Sequence, residues 1–134
     1  MRSYLQKHDK IKYSDHWSTP QDMYKQYIDI LGYYDPCPLF SDDTDITQYA
    51  SVPQFINPPY SNIKAWVDYA IGCHIRYQEH IVLLVPSRTD TKWFHDLLDY
   101  GVELEFIKGR LKFGNQKGSA PFPSVLIHLR GENK

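Results

Sequence analysis

Apolar positions along the chain fall into runs with two different periods. "HIVLLVP", residues 80–86, is continuous, as expected for a central parallel strand covered on both faces. "VELEFI", residues 102–107, alternates and predicts a strand with one wet face, and "SVLIHL", residues 124–129, predicts the last strand. Helical spacing governs three other stretches. From Ile63 to about Tyr77, positions 63, 66, 67, 70, 74 and 77 share one face. "TDTKWFHDLLDYG", residues 89–101, predicts a helix capped by Thr89 or Asp90 and ended by Gly101. In "WSTPQDMYKQYIDILG", residues 17–32, Thr19 can cap, Pro20 suits the first helical position, and Asp22 sits where a capping-box acid belongs. Met23, Tyr27, Ile28 and Leu31 then recur on one face until Gly32 stops the helix. "YYDPCP" reads as a short strand ending at Asp35, and "PQFI" as another that runs into Asn57.

Strand, helix, strand, helix, strand, loop, strand is the order of an α/β layered domain. The last two strands lack an intervening helix, which predicts an antiparallel pair at one edge of an otherwise mostly parallel sheet. Ligands in such sheets gather at the carboxyl ends of parallel strands. Asp35, Asn57 and the Pro86-Ser87-Arg88 run all fall at such ends, so three polar markers converge on one rim.

A length of 134 residues allows one domain, 1–134, with the polar, lysine-bearing stretch 1–16 as a mobile arm. A formal net charge of −1 excludes a protein that holds nucleic acid by bulk positive charge, and leaves room for a local basic strip. Eleven tyrosines and three tryptophans serve cores and base-stacking surfaces alike. Cys37 and Cys73 lack a partner set for metal and fit a reducing compartment. His74 beside Cys73 reads as a surface histidine next to a helical core cysteine. Neither an apolar signal core nor a membrane-length run is present, which predicts a cytoplasmic protein without a membrane partner.

"FINPPYSN", residues 55–62, carries the most chemistry. Pro58 and Pro59 fix the backbone and withdraw from strand pairing, so Asn57 and Tyr60 are held at set positions on the rim. The amine of a nucleobase is a poor nucleophile because its lone pair is delocalised into the ring. Two acceptors that take both of its hydrogens draw the nitrogen toward tetrahedral geometry. The Asn57 side-chain oxygen and the Pro58 carbonyl can be those acceptors, with Tyr60 stacked on a base rotated out of its duplex. A turn with no chemical role is the alternative.

Four blocks carry a resemblance: "DHWSTP", "YYDPCP", "FINPPYSNIKAWV", and "VPSRTDTKWFHD" with "GRLKFGNQKGSAPFPSVLIHL". Together they make the chain similar to the phage-encoded DNA N-6-adenine methyltransferases of the Dam superfamily. The resemblance implies a compact Rossmann-like methyltransferase sheet, methyl transfer from S-adenosyl-L-methionine, and DNA as the partner. It assigns Asn57, Pro58, Pro59 and Tyr60 to positioning the amine. Asp35, Pro36 and Cys37, with Trp17, Thr19 and Pro20, fall to the cofactor. The first half of the sheet is shortened, since only a polar loop separates Asp35 from Asn57. The ribose-binding acid of related enzymes is then replaced by Asp42, Asp43 or Asp45, of which Asp45 is the choice, or the three form a solvated loop. No separate recognition domain fits, so recognition comes from loops, from the N-terminal arm or from a second subunit in a homodimer. Lys108, Arg110, Lys112 and Lys117 around Phe113 form either a strip that contacts phosphate, with Phe113 stacking or wedging, or a hairpin-like connection with solvated lysines; the strip is the choice. Arg88 holds phosphate or pairs with Asp90, while Trp93 and His95 read as packing and helix-surface residues. An acceptor in RNA or a protein glutamine amide, and a binding module without catalysis, are the alternative functions.

Overall fold

A computed structural model of the chain describes residues 17–37, 49–114 and 118–131. The arm 1–16, the acidic loop with Asp42, Asp43 and Asp45, and Lys117 lie outside the described residues. Four strands form the central sheet: β1 (Gln54–Ile56), β2 (Ile81–Pro86), β3 (Glu103–Phe106) and β4 (Ser124–Leu129), in spatial order β1-β2-β4-β3. β1 is parallel to β2, whereas β4 is antiparallel to both β2 and β3. The expected mostly parallel sheet is therefore corrected to one parallel and two antiparallel pairs among these strands. Connectivity and burial explain the difference. Among the described residues no helix carries the chain back between β3 and β4, so β4 returns reversed. All six residues of β4 are buried, and it inserts beside the equally buried β2. β3 carries exposed Glu103 and Glu105, and charge of that kind belongs on an edge. The predicted antiparallel pairing of the last two strands holds.

Instead of a full strand at "YYDPCP", Tyr34 makes one parallel bridge to Gln54. Its N–H donates to the Pro53 carbonyl and its carbonyl accepts from the Phe55 N–H, both at 2.9 Å. Pro36, two residues on, has no N–H with which to continue the ladder.

Alternation along the strands feeds two apolar layers. Ile56, Leu83, Val85, Ile127 and Leu129 pack beneath α2 (Ile63–Tyr77) and α3 (Lys92–Tyr100). Phe55, Val82, Leu84 and Leu126 face the other way, toward Tyr27, Phe113 and Ala120. Each such aliphatic side chain contributes about 1.5–3 kcal/mol by leaving water. α2 has the predicted bounds, with Ile63, Trp66, Val67, Ala70 and His74 buried along its inner face. At α3 the cap position is Thr91, not Thr89 or Asp90, and no side chain caps the helix. The Thr91 hydroxyl instead donates to the Arg88 carbonyl at 2.7 Å.

α1 (Gln21–Tyr24) continues into a π-helical segment, Lys25–Ile30. Pro20 occupies the cap position with extended dihedrals (φ −55°, ψ 140°), and neither Thr19 nor Asp22 closes a capping box. The wider turns, marked by Leu31 N–H donating to the Gln26 carbonyl at 3.1 Å, break the 3.6-residue phase. Tyr27 stays buried while Leu31 turns out to 53% exposure, contrary to the single face predicted. Gly32 ends the segment at φ +73°, as its position predicts. Among the described residues no helix is long and apolar enough to cross a membrane.

His74 is not a surface residue. It is buried, with Nδ1 hydrogen-bonded to the Tyr100 hydroxyl and Nε2 to the Arg130 carbonyl. A carbonyl only accepts, so Nε2 carries the proton and Nδ1 accepts from Tyr100. One ring thereby ties α2 to α3 and to the end of β4. His74→Leu keeps the volume and removes both bonds, and is expected to lower unfolding free energy by about 1–3 kcal/mol in urea titrations.

Candidate active site

The rim at the carboxyl end of β1 is built by a strand that stops abruptly. β1 ends at Ile56, and Asn57, Pro58 and Pro59 follow as buried, non-strand residues. Pro59 lies at φ −64°, ψ 137°, ahead of one 3-10 turn, Tyr60–Asn62, that opens into α2. Asn57 is only 1% exposed. The segment Trp17–Thr19 lies over it. Its Nδ2 donates to the Trp17 carbonyl and to Thr19 Oγ1, the latter at 3.2 Å. Its Oδ1 is buried and has no hydrogen-bond partner among the described residues. A buried acceptor left unpaired costs about 1–3 kcal/mol, and such groups call for a chemical reason.

Tyr60 follows three residues on, and its hydroxyl is likewise buried without a partner among the described residues. Burial pushes the phenol well above its ordinary range, against a smaller opposing pull from the positive charge of Arg88. The side chain is therefore a neutral phenol and no base. Trp17 stacks on its ring with centroids 6.1 Å apart and planes at 21°. Phe122 meets Tyr60 edge-on at 5.2 Å, and both Phe113 and Phe122 meet Trp17 edge-on at 5.4 Å. Four aromatic rings thus close one side of the site.

Parallel alignment of Tyr34 with Gln54 brings Asp35 to the same rim. One oxygen of Asp35 accepts the Cys37 N–H at 3.0 Å. Burial raises its carboxyl from 3.8 to about 6, with the Cys37 N–H pulling the other way. Cys37 is buried in the layer under α2, and its thiol is pushed far up by burial and further by Asp35, so it is no nucleophile. Pro36 and Pro20 are buried beside their neighbours.

Other sequence-selected residues are placed as follows. Arg88 is exposed two residues beyond β2, near enough for its charge to act on Tyr60, and makes no ion pair with Asp90 among the described residues. Lys108, Arg110 and Lys112 are exposed along the connection from β3 to β4. Phe113 differs from expectation: it is 2% exposed and packs inward on Trp17, since its ring fills the layer opposite α2. Trp93 is buried and His95 exposed on α3, where its Nε2 donates to the Thr89 carbonyl at 2.7 Å. Asp45 and Lys117 lie outside the described residues. Phe122 was missed by sequence reasoning, although its place in "PFPS" next to a strand start offered a signal. The bond from Asn57 to Thr19 had no signal at all, because it joins residues 38 apart.

A family model described as DNA N-6-adenine-methyltransferase (Dam) matches residues 6–124. The chain belongs to that family. Curated proteins and solved structures gave no match. The Dam match spans the Trp17–Thr19 segment, Asp35, Asn57–Tyr60 and the basic connection, all within its bounds. As a Dam-family enzyme the protein methylates the N6 position of adenine in DNA, and the RNA, protein-amide and non-catalytic readings are not favoured. Its α/β sheet is compatible with a methyltransferase fold.

The position of Asp35 makes a signed prediction. Its folded-state carboxyl, about 6, lies above the ordinary 3.8, so the folded protein binds a proton more tightly than the unfolded chain. The contribution of this group to stability is full below about pH 4 and is lost as pH rises through about 6. Asp35→Asn should flatten that part of the curve in urea unfolding measured from pH 4 to pH 8.

Proposed function

We propose that this Dam-family enzyme uses S-adenosyl-L-methionine and that Asn57 Oδ1 and the Pro58 carbonyl together receive the two hydrogens of the adenine amine. The unpartnered, buried Oδ1 is the observation that carries the reading. It is an acceptor held without a donor, where an incoming N6 amine brings two. Taking both N–H hydrogens frees the nitrogen lone pair from the ring, and the proline pair keeps the two acceptors from relaxing toward each other.

Asp35 fits the cofactor. Its carboxyl is held in a site dry enough to raise it to about 6, and a cationic ligand offsets that burial. When bound, S-adenosyl-L-methionine supplies an electrophilic methyl group next to the amine. The chain's own residues do the rest. Asn57 is neutral and no strong base, so the amine sheds its proton during or after transfer. Tyr60, a neutral phenol, offers an aromatic face to a base turned out of the duplex. Trp17 now covers part of that face, so base entry displaces or shares it. Arg88, Lys108, Arg110 and Lys112 lie exposed for phosphate, a positioning role without sequence reading.

Asn57→Ala is expected to abolish methyl transfer to duplex DNA while cofactor affinity in calorimetry stays near that of the parent. Undiminished turnover removes Asn57 from the chemistry. Replacing Lys108, Arg110 and Lys112 together by Gln should weaken DNA binding evenly across sequences. The slope of log K against log salt should become shallower by about one for each phosphate no longer neutralised.

A further inference from the structure

We infer that the Trp17 carbonyl sets which end of the Asn57 amide meets the acceptor base, and that the Thr19 hydroxyl, as the second acceptor for Nδ2, holds the amide in that orientation. The inference rests on the proposed role of Asn57 and adds a positioning residue to it. The two ends of an asparagine amide are nearly identical in shape and opposite in hydrogen bonding. Presented by its nitrogen, the side chain would offer donors to an amine that is itself a donor, and the site would fail.

Three observations fix the orientation. The Trp17 carbonyl has only lone pairs to offer, so the amide end that meets it must be Nδ2. Thr19 Oγ1 takes a second bond from the same nitrogen at 3.2 Å. Both amide hydrogens are thereby used on the 17–19 segment, and Oδ1 is left over, buried and unpartnered among the described residues. Turning the amide by half a rotation would press Oδ1 against the Trp17 carbonyl, where neither oxygen can donate, and only the Thr19 hydroxyl, by reversing its own role, could still bond to it. Thr19 can serve this end because it is not spent on its helix: no side chain caps α1, and Pro20 stands at the cap position.

The arrangement also requires an amide at position 57. A carboxylate there would set an ionised oxygen against the Trp17 carbonyl in a buried place, where neither can donate. This chain therefore needs Asn57 for its nitrogen as well as for its oxygen.

Four proteins test the assignment: the parent, Thr19→Val, Thr19→Ser and Asn57→Asp. Each is assayed for methyl transfer to duplex DNA, for cofactor affinity by calorimetry and for melting temperature. Thr19→Val should lower kcat about tenfold, the scale of one lost hydrogen bond, with KM for DNA and cofactor affinity nearly unchanged. Thr19→Ser, which restores the acceptor oxygen, should recover most of that kcat. Asn57→Asp should bind cofactor and transfer methyl at less than about a hundredth of the parental rate, the effect of a buried, unmatched charge. Parental kcat in either Thr19→Val or Asn57→Asp overturns the inference. So does a Thr19→Val protein that loses cofactor affinity at intact kcat, because the hydroxyl then belongs to the cofactor. If Thr19→Val does not fold, Asn57→Asp decides alone. Adenine methylation by the parent that persists in Asn57→Ala contradicts the underlying reading of Asn57, a result separate from failure of the Thr19 variants.

Discussion

An asparagine amide held by its nitrogen is the constraint on which the site depends. Asn57 gives its hydrogens to Trp17 and Thr19, and its oxygen is what remains. Such a group does not persist on an exposed loop, where water would satisfy it. Here the two prolines prevent the backbone from folding onto the oxygen, and the 17–19 segment keeps solvent from the amide. The unpaired oxygen is a local cost that the rest of the fold must sustain. It does so through β2 and β4, whose twelve residues are all buried, with β1 laid parallel beside β2.

Polarity is arranged by the same logic elsewhere at this rim. Asp35 is dry enough to be raised to about 6, and Tyr60 and Cys37 are pushed up until neither ionises near neutral pH. Neither Tyr60 nor Cys37 supplies a base near neutral pH, and the Asn57 amide is neutral. In the proposed mechanism the rim offers fixed acceptors, one carboxylate and aromatic faces to a delocalised amine. Chemistry of this kind depends on placement.

Local signals in the chain made much of this legible. The continuous run at β2, the helical spacing of α2 and the stop at Gly101 each rest on neighbours in sequence, and each appears where its pattern placed it. Strand direction was harder to read. β4 is apolar enough to sit inside the sheet, and only its partners decide that it runs against both. Leu31 went wrong because a π-helical turn shifts the phase on which the face was counted. His74 was read as surface because polar side chains usually are; its partners Tyr100 and Arg130 come from other elements. A buried histidine pair, His80 and His128, links Tyr33 to Glu105 in the same hidden way. The placement of Asn57 and Tyr60 just past β1, and of Asp35 just past the Tyr34 bridge, was legible from local pattern. The inward turn of Phe113 and the use of Thr19 as an acceptor were not, since both depend on contacts across the fold.

The measurement closest to the central claim is a structure of the protein with duplex DNA and an unreactive analogue of the cofactor. The account predicts the adenine N6 at about 2.7–3.2 Å from Asn57 Oδ1, with Nδ2 still on the Trp17 carbonyl. An extruded base whose amine meets other acceptors, or an Asn57 amide that points its nitrogen at the base, would contradict it.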